Sequence, residues 1–254
     1  MGRLEGKIGL VTGASRGIGK ACAIALAEDG ADVVVNYRSH PDDAAATVHA
    51  IEALGRRAVA FQADVSDRVR VDAMVDFTVG HFGHLDVLVA NAYRSVREPF
   101  LEMSLDGLQQ TLGVTLLGTF HTCQAGARAM VARGQGGAIV IVASIHAEHA
   151  FANSTAYNMA KFGITGLGLT MANELTRHRI RVNLLNPGWI DTPGERQYAT
   201  EAELEEEGKK LPWGRLGQPR EMGRVVAFLA SDDASYVTGA ILRADGGQIC
   251  SMGG

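Results

Sequence analysis

The sequence predicts a single α/β domain, a doubly wound parallel sheet of about seven strands with helices on both faces. Three observations carry that expectation. Short β-rich apolar runs alternate with helical patterns from one end of the chain to the other. Runs such as Val33-Val34-Val35 and Ile139-Val140-Ile141-Val142 are apolar on both faces, which suits parallel strands covered on each side rather than a half-exposed antiparallel sheet. The 254 residues, 46% of them hydrophobic, carry no repeat, low-complexity segment or Pro/Ser-rich linker, so 1–254 reads as one core.

Taken in order, the strands are expected at 8–12, 32–36, 58–62, 87–90, 138–143, 181–186 and 241–244. The helices fill the gaps at 17–29, 42–54, 68–82, 104–132, 156–177 and 219–231. Such alternation requires right-handed crossovers. One stretch departs from the pattern, 192–217, with Glu203-Leu204-Glu205-Glu206-Glu207, Lys209-Lys210 and Pro212-Trp213-Gly214. An insert of this length between a strand and a helix reads as a lid over a site or as a disordered segment. Its acidic run reads as a solvated helix face. The stretch is broken by Gly194, Gly208 and Gly214 and offers little to bury, Leu211 and Trp213 being its expected apolar contacts on closure.

Composition excludes several classes. A net charge of −4 and a pI of about 6.1 provide no basic patch for nucleic acid. Cys22, Cys123 and Cys250 are odd in number and far apart, so neither a disulfide framework nor a metal site is expected, and a reducing, cytoplasmic compartment is. The polar start Met1-Gly2-Arg3-Leu4-Glu5-Gly6-Lys7 is unlike a signal peptide, and no apolar run reaches the ~18 residues of a membrane helix. Gly6 stands where an N-myristoylation motif needs Ser or Thr.

The first strand ends in Thr12-Gly13-Ala14-Ser15-Arg16-Gly17-Ile18-Gly19, and a helical pattern begins at once. Glycines at such a turn let the backbone bend tightly and approach a pyrophosphate. The helix N-terminus offers it unpaired N–H groups and the positive end of the dipole. A strand before and a helix after are the context of a dinucleotide site in a Rossmann-type fold. Thr12, Gly13, Ser15, Arg16, Gly17, Ile18 and Gly19 are therefore candidate cofactor residues.

Tyr157-Asn158-Met159-Ala160-Lys161 puts a phenol and an ammonium one turn apart on one helix face. An unperturbed tyrosine, with a pKa of about 10, is a poor base at neutral pH. The ammonium, together with an oxidised nicotinamide, is expected to lower that pKa, so that the phenol exchanges a proton with a substrate hydroxyl or carbonyl. Ser144 ends an apolar strand at the carboxyl edge, where open α/β sheets bind ligands, and a serine there can hold a reacting oxygen.

With the spacing Thr-Gly-x-x-x-Gly-x-Gly, Ser144 thirteen residues before Tyr157 and Lys161 four after it, the chain resembles the short-chain dehydrogenase/reductase family over essentially its whole length. The resemblance implies an oxidoreductase moving a hydride between a nicotinamide cofactor and an alcohol/carbonyl pair. Ser144, Tyr157 and Lys161 are then catalytic, with Tyr157 and Lys161 also against the cofactor. The family's acidic NAD-reading position falls on Tyr37, followed by Arg38 and Ser39. No carboxylate there repels a 2′-phosphate, and a guanidinium can clamp one, so NADP is expected, with NAD use open and a plain surface role for Arg38 as the other reading. The resemblance further implies adenine contacts from Asp64 and Val65, a cofactor contact from Asn91 and Ala92, and carboxamide contacts from Ile190 and Thr192 within Pro187-Gly188-Trp189-Ile190-Asp191-Thr192.

Two positions depart from the family. Thr115, the fourth catalytic candidate, stands where an Asn helps hold a water leading to the lysine, a role its hydroxyl is expected to fill less well, and Tyr93 stands where a glycine is usual, with Ala90 replacing the first Asn of that motif. Candidate substrate residues are Tyr93, Ser144, His146, His149 and Trp189, with Arg94, Phe151 and Asn153 beside them; capping or solvation is the other reading of the two histidines. Asn36-Tyr37-Arg38-Ser39, Ser144-Ile145-His146, Ala234-Ser235-Tyr236-Val237-Thr238-Gly239 and Ala244-Asp245-Gly246-Gly247 resemble the bacterial glucose 1-dehydrogenases. The chain is also similar to 3-oxoacyl-carrier-protein reductases, whose basic docking positions fall here on Arg128 and, without a charge, on Asn173. A non-catalytic NADP-binding sensor is the reading from another class. The family implies a homotetramer through the two long helices, with Gly163, Gly166 and Gly168 permitting close approach.

Overall fold

The computed structural model describes residues 2–252. Its strands are β1 (Ile8–Val11), β2 (Asp32–Tyr37), β3 (Ala58–Gln62), β4 (Val87–Ala90), β5 (Gly137–Val142), β6 (Ile180–Pro187) and β7 (Ile241–Ala244). They form one parallel sheet in the order β3-β2-β1-β4-β5-β6-β7. The chain winds outward from β1 to β3, returns to β4 beside β1, and winds outward the other way. The reversal between β1 and β4 is the switch point at which such sheets open a crevice.

Alternation within the strands explains the two cores. Leu10, Val34, Leu88, Ile139, Ile141, Val182 and Leu184 point into one layer, and Val11, Val33, Val35, Val87, Val89, Val140, Val142 and Leu185 into the other. Helices α1 (Gly17–Glu28), α2 (Pro41–Glu52) and α8 (Pro219–Ala230) cover the second layer; α3 (Arg68–Phe82), α5 (Gly118–Arg133) and α6 (Thr155–Leu175) cover the first. Side chains buried on both faces are what the apolar runs require.

Two expectations are corrected. The span 104–132 is not one regular helix: α4 (Leu105–Leu112) passes through a π turn, Gly113–Leu117, into α5. There the Gly118 N–H reaches back to the Gly113 carbonyl, which widens the turn around Thr115. The stretch 192–217 buries more than its composition suggested. It holds α7 (Glu201–Lys209), whose Thr200–Glu203 capping box fixes its start and whose acidic side chains lie mostly in solvent. Leu204 and Leu216 are buried beneath it. Trp213 is 68% exposed and rests against Gly246, while Leu211 is half-buried. A short α9 (Gln248–Ser251) ends the described chain. Among the described residues, no helix is long and apolar enough to cross a membrane and no three His, Cys, Asp or Glu side chains group as a metal site.

Candidate active site

Because every strand runs the same way, their carboxyl ends gather four segments at one edge: the glycine turn after β1, the loop after β4, the turn after β5 and the segment after β6. Side chains from β2, α2 and the loop after β4 hold the backbone of the glycine turn. Gly13 N–H donates to Asn36 Oδ1 at 3.2 Å, Ala14 N–H to the Asn36 carbonyl at 2.8 Å, and Asn91 Nδ2 to the Thr12 carbonyl at 2.9 Å. Thr12 Oγ1 accepts the N–H groups of Asn91 and Ala92, at 2.9 and 3.1 Å. Thr47 anchors the Ser15 carbonyl. Gly13 and Gly17 have φ of 62° and 57°, and a Cβ on Gly19 would strike the Gly13 carbonyl and the Asn91 amide. Helix α1 starts after Arg16 with no side chain capping it, so the N–H groups of its first turn, including Ile18, remain for an anion. Thr192 closes over this turn, about a methyl group away from where a Cβ of Gly17 would lie. The cradle thus fits a dinucleotide pyrophosphate.

Farther along the same edge, Tyr37 is half-buried, and Arg38 and Ser39 are exposed. Arg38 stands 3.8 Å from the Asp64 carboxylate, an exposed pair too loose to hold it. Val65 is packed under Gly118, and its carbonyl faces His121 Nδ1 at 3.2 Å, so its side chain turns away from the cleft. Ile190 is likewise buried, packed on Gly217. Pro187 is buried and Gly188 lies against Asp245.

Ser144, Tyr157 and Lys161 come together at the centre. Lys161 is 2% exposed, and its Nζ donates to the Val142 carbonyl at 2.9 Å and lies 5.3 Å from the Tyr157 ring centroid. Ser144 Oγ accepts the His146 N–H at 3.2 Å. The protein by itself does not lower the Tyr157 phenol. In the protein alone, burial pushes the Tyr157 phenol above its ordinary range; Tyr93 adds to this, and a hydrogen bond from Ser144 opposes it. Burial also brings Lys161 down to about 7. Loss of solvent thus acts on both groups, and the ammonium that was to favour the phenolate is itself disfavoured.

The Thr115 hydroxyl is occupied, in line with the departure noted for that position. Its hydroxyl accepts the Arg94 N–H at 2.9 Å and donates to the Arg94 carbonyl at 2.7 Å. Its one proton is spent on the loop after β4 rather than left for a water leading to Lys161.

The proposed substrate residues divide. Tyr93 is 48% exposed, and its ring lies 6.0 Å from that of Tyr157. His146 sits on a 3₁₀ turn, Ile145–Ala147, with its ring 5.0 Å from Tyr157 and 4.3 Å from Phe151. Its Nδ1 meets Asn158 Oδ1 at 2.7 Å, and Asn158 Nδ2 donates to the Phe151 carbonyl. Asn158 Oδ1 must therefore accept, which puts the proton of a neutral His146 on Nδ1. Burial lowers His146 to about 4, the Asn158 hydrogen bond notwithstanding. His149 and Asn153 are exposed and outside this network; the His149 ring rests near Phe151. Trp189 is half-buried, its indole N–H on Glu195.

Three participants were not legible as site residues. Asn158 carried no signal beyond lying between Tyr157 and Lys161. Arg97 and Glu195 lie on different segments, and Arg97 covers the Tyr198 ring at 3.8 Å.

Residues 13–248 match the protein family described as enoyl-(acyl carrier protein) reductase. The chain is 42% identical over 250 residues to the L-rhamnose 1-dehydrogenase (NAD(P)+) of a Sphingomonas species, covering 98% of each chain. It is 37% identical to glucose 1-dehydrogenase 2 of Bacillus subtilis, covering 96% of this chain and 95% of that one. A short-chain dehydrogenase of Burkholderia cenocepacia, solved in complex with NADP, superimposes with a TM-score of 0.91 at 36% identity, over 97% of this chain and 99% of that one.

Proposed function

The chain belongs to the short-chain dehydrogenase/reductase family and is an oxidoreductase of alcohols and carbonyls, and we propose that it is NADP(H)-preferring and glucose 1-dehydrogenase-like in its substrate. The observation that carries the reading is the meeting of Ser144, Tyr157 and Lys161 beside an uncapped glycine turn. Arg38, with Arg16 on the glycine turn, is the proposed reader of the 2′-phosphate. Thr12–Gly19, Asn91, Ala92 and the 187–192 segment hold the rest of the cofactor.

The nicotinamide, when bound, accepts or supplies the hydride. Ser144 Oγ holds the reacting oxygen by a hydrogen bond. Tyr157 exchanges the proton at that oxygen: its phenol, held protonated in the protein alone, donates to a carbonyl, and its phenolate takes the proton of an alcohol. Lys161, fixed by the Val142 carbonyl, supports the phenol one turn away and would contact the ribose of a bound cofactor.

We further propose a homotetramer. Leu117, Phe120 and Val131 on one side and Met159, Phe162 and Leu169 on the other leave exposed apolar surface on and beside α5 and α6. The expected glycines divide: Gly168 faces Leu184 of the sheet and Gly163 faces Leu116, while a Cβ on Gly166 would meet open space. Light scattering at micromolar concentration should give four times the 26.9 kDa chain mass. The free thiols, Cys22 and Cys123 buried and Cys250 exposed, support a reducing, cytoplasmic setting.

The central test is turnover of NADP and NAD with an alcohol and carbonyl panel. Tyr157→Phe should lose about 10³-fold or more in kcat while still binding cofactor. Near-normal turnover by that variant would remove the mechanism. Turnover by the unmodified chain also separates it from a cofactor-binding sensor.

A further inference from the structure

Asn158 follows Tyr157 on α6, and its N–H closes the first turn of that helix on the Ser154 carbonyl at 2.7 Å. Both ends of its side-chain amide are used. Nδ2 donates to the Phe151 carbonyl at 2.9 Å, and Oδ1 accepts the Nδ1–H of His146 at 2.7 Å. A backbone carbonyl can only accept, so the amide has one orientation. The His146 ring is bounded by the Phe151 ring, 4.3 Å between centroids, and by the Tyr157 ring, 5.0 Å away and edge-on. The imidazole thus has a fixed place as well as a fixed tautomer.

The backbone of His146 carries this order on to the reacting groups. Its N–H donates to Ser144 Oγ at 3.2 Å, at the start of the Ile145–Ala147 turn. A serine hydroxyl has one proton to give and accepts through its lone pairs. With the His146 N–H taken on one side, Ser144 turns its own proton toward the Tyr157 phenol oxygen. One side chain on the helix that carries Tyr157 therefore ties down the turn that carries Ser144. Its loss would strand the Phe151 carbonyl and the His146 Nδ1–H and release the ring.

We propose that Asn158 is a positioning residue which, acting through His146, sets the Ser144 hydroxyl against the Tyr157 phenol so that both meet the same reacting oxygen. This rests on the oxidoreductase reading above, adds a residue to its proton-handling group, and holds for whichever alcohol the site accepts. Placement of this kind matters because a small displacement of reacting groups can cost on the order of 10²-fold in rate.

The test measures kcat and KM of Asn158→Ala on the best alcohol of the panel, NADPH binding by fluorescence titration, and the His146 ring by nitrogen NMR, which tells the two tautomers apart. The kcat should fall about 10- to 100-fold, while the alcohol KM and the NADPH affinity change by less than about threefold. The ring proton should sit on Nδ1 in the unmodified chain and be shared between the two nitrogens in the variant. In a Ser144→Ala chain, adding Asn158→Ala should lower kcat by less than about threefold more, because no hydroxyl is left to orient. His146→Phe keeps a ring and the bond from Asn158 to Phe151 but removes the Nδ1–H, and should lower kcat as Asn158→Ala does; it decides the question if unfolding midpoints show Asn158→Ala to be misfolded. An unchanged kcat in a folded variant overturns the proposal. So does a raised alcohol KM with kcat unchanged, which would make Asn158 part of the binding wall alone, and so does a full further loss in the Ser144→Ala chain or a proton on Nε2 in the unmodified one. All of these leave the oxidoreductase reading standing; no turnover of any panel alcohol by the unmodified chain overturns that reading and the proposal with it.

Discussion

At the β1 side of the cleft, the side chains of Thr12, Asn36, Thr47 and Asn91 hold the backbone of the glycine turn and of the loop after β4 in place. Toward the substrate side, Trp189, Glu195 and Arg97 form one side-chain group, and His146 and Asn158, from the turn after β5 and from α6, form another. The first arrangement leaves the first-turn N–H groups of α1 uncapped, and those groups do not vary with side-chain identity. The second can be rewritten one residue at a time without disturbing the sheet. A common cofactor cradle and a variable substrate edge follow from that division.

Lys161 lies between the two edges, and the largest effect is expected there. Lys161→Ala should lower turnover about 10²- to 10⁴-fold and, unlike Tyr157→Phe, weaken cofactor binding as well, checked by titration of NADP fluorescence. Its titration supplies a second readout. Burial brings the group down to about 7 from an ordinary 10.5. Between those values the unfolded chain binds the proton and the folded chain releases it, so this group's contribution to stability rises with pH across that window. Below it, the cost of the buried charge is carried in full. The stability advantage of Lys161→Met over the unmodified chain should therefore shrink between pH 7 and 10, as measured by urea unfolding; a gap that does not change with pH would contradict a buried, depressed ammonium.

Arg38→Ala tests the cradle's one proposed side-chain reader. It should raise the NADP Michaelis constant about tenfold and leave NAD nearly unchanged, the loss of a charge-assisted contact. Equal effects on both cofactors would return Arg38 to a surface role. Thr115→Val probes the joint between the edges. It strands the Arg94 N–H and carbonyl, and should cost about 1–3 kcal/mol of stability in chemical denaturation. A smaller change would show those groups to be satisfied by water.

The smallest expected effect is in the lid. Tyr198 donates to the Ser95 carbonyl at 3.0 Å and receives Arg97 over its ring, so the segment already touches the loop after β4. NADP and an aldose together should add modest hydrogen-exchange protection to the amides of 195–210. Equal protection with and without ligand would make 192–217 a fixed structural element.

The fold was legible because its signals are local and periodic. Each strand, including 58–62, 87–90 and 241–244, is a short apolar run bounded by polar residues, and the observed elements fall within a residue or two of the expected ones. The exceptions are instructive. The π turn at Gly113–Leu117 surrounds Thr115, which bonds a loop twenty-one residues away, and α7 buries Leu204 and packs its Gly208 on Leu216. Neither contact is written in a local pattern. The Tyr157–Lys161 spacing was equally plain, yet the direction of the phenol's shift was not, because desolvation depends on what surrounds a group rather than on its neighbours in sequence.

The sequence by itself determined the sheet, the glycine turn and the order and spacing of Ser144, Tyr157 and Lys161, since these follow from periodicity and from fixed offsets along single elements. Only the tertiary structure decided that Thr115 is tied to Arg94, that burial holds His146 neutral while Asn158 fixes its tautomer, and that Glu195 meets the Trp189 indole N–H and Arg97. Those pairings join residues from separate segments, and their partners are chosen by the packing of loops and turns at the carboxyl edge of the sheet, a choice that no local pattern encodes.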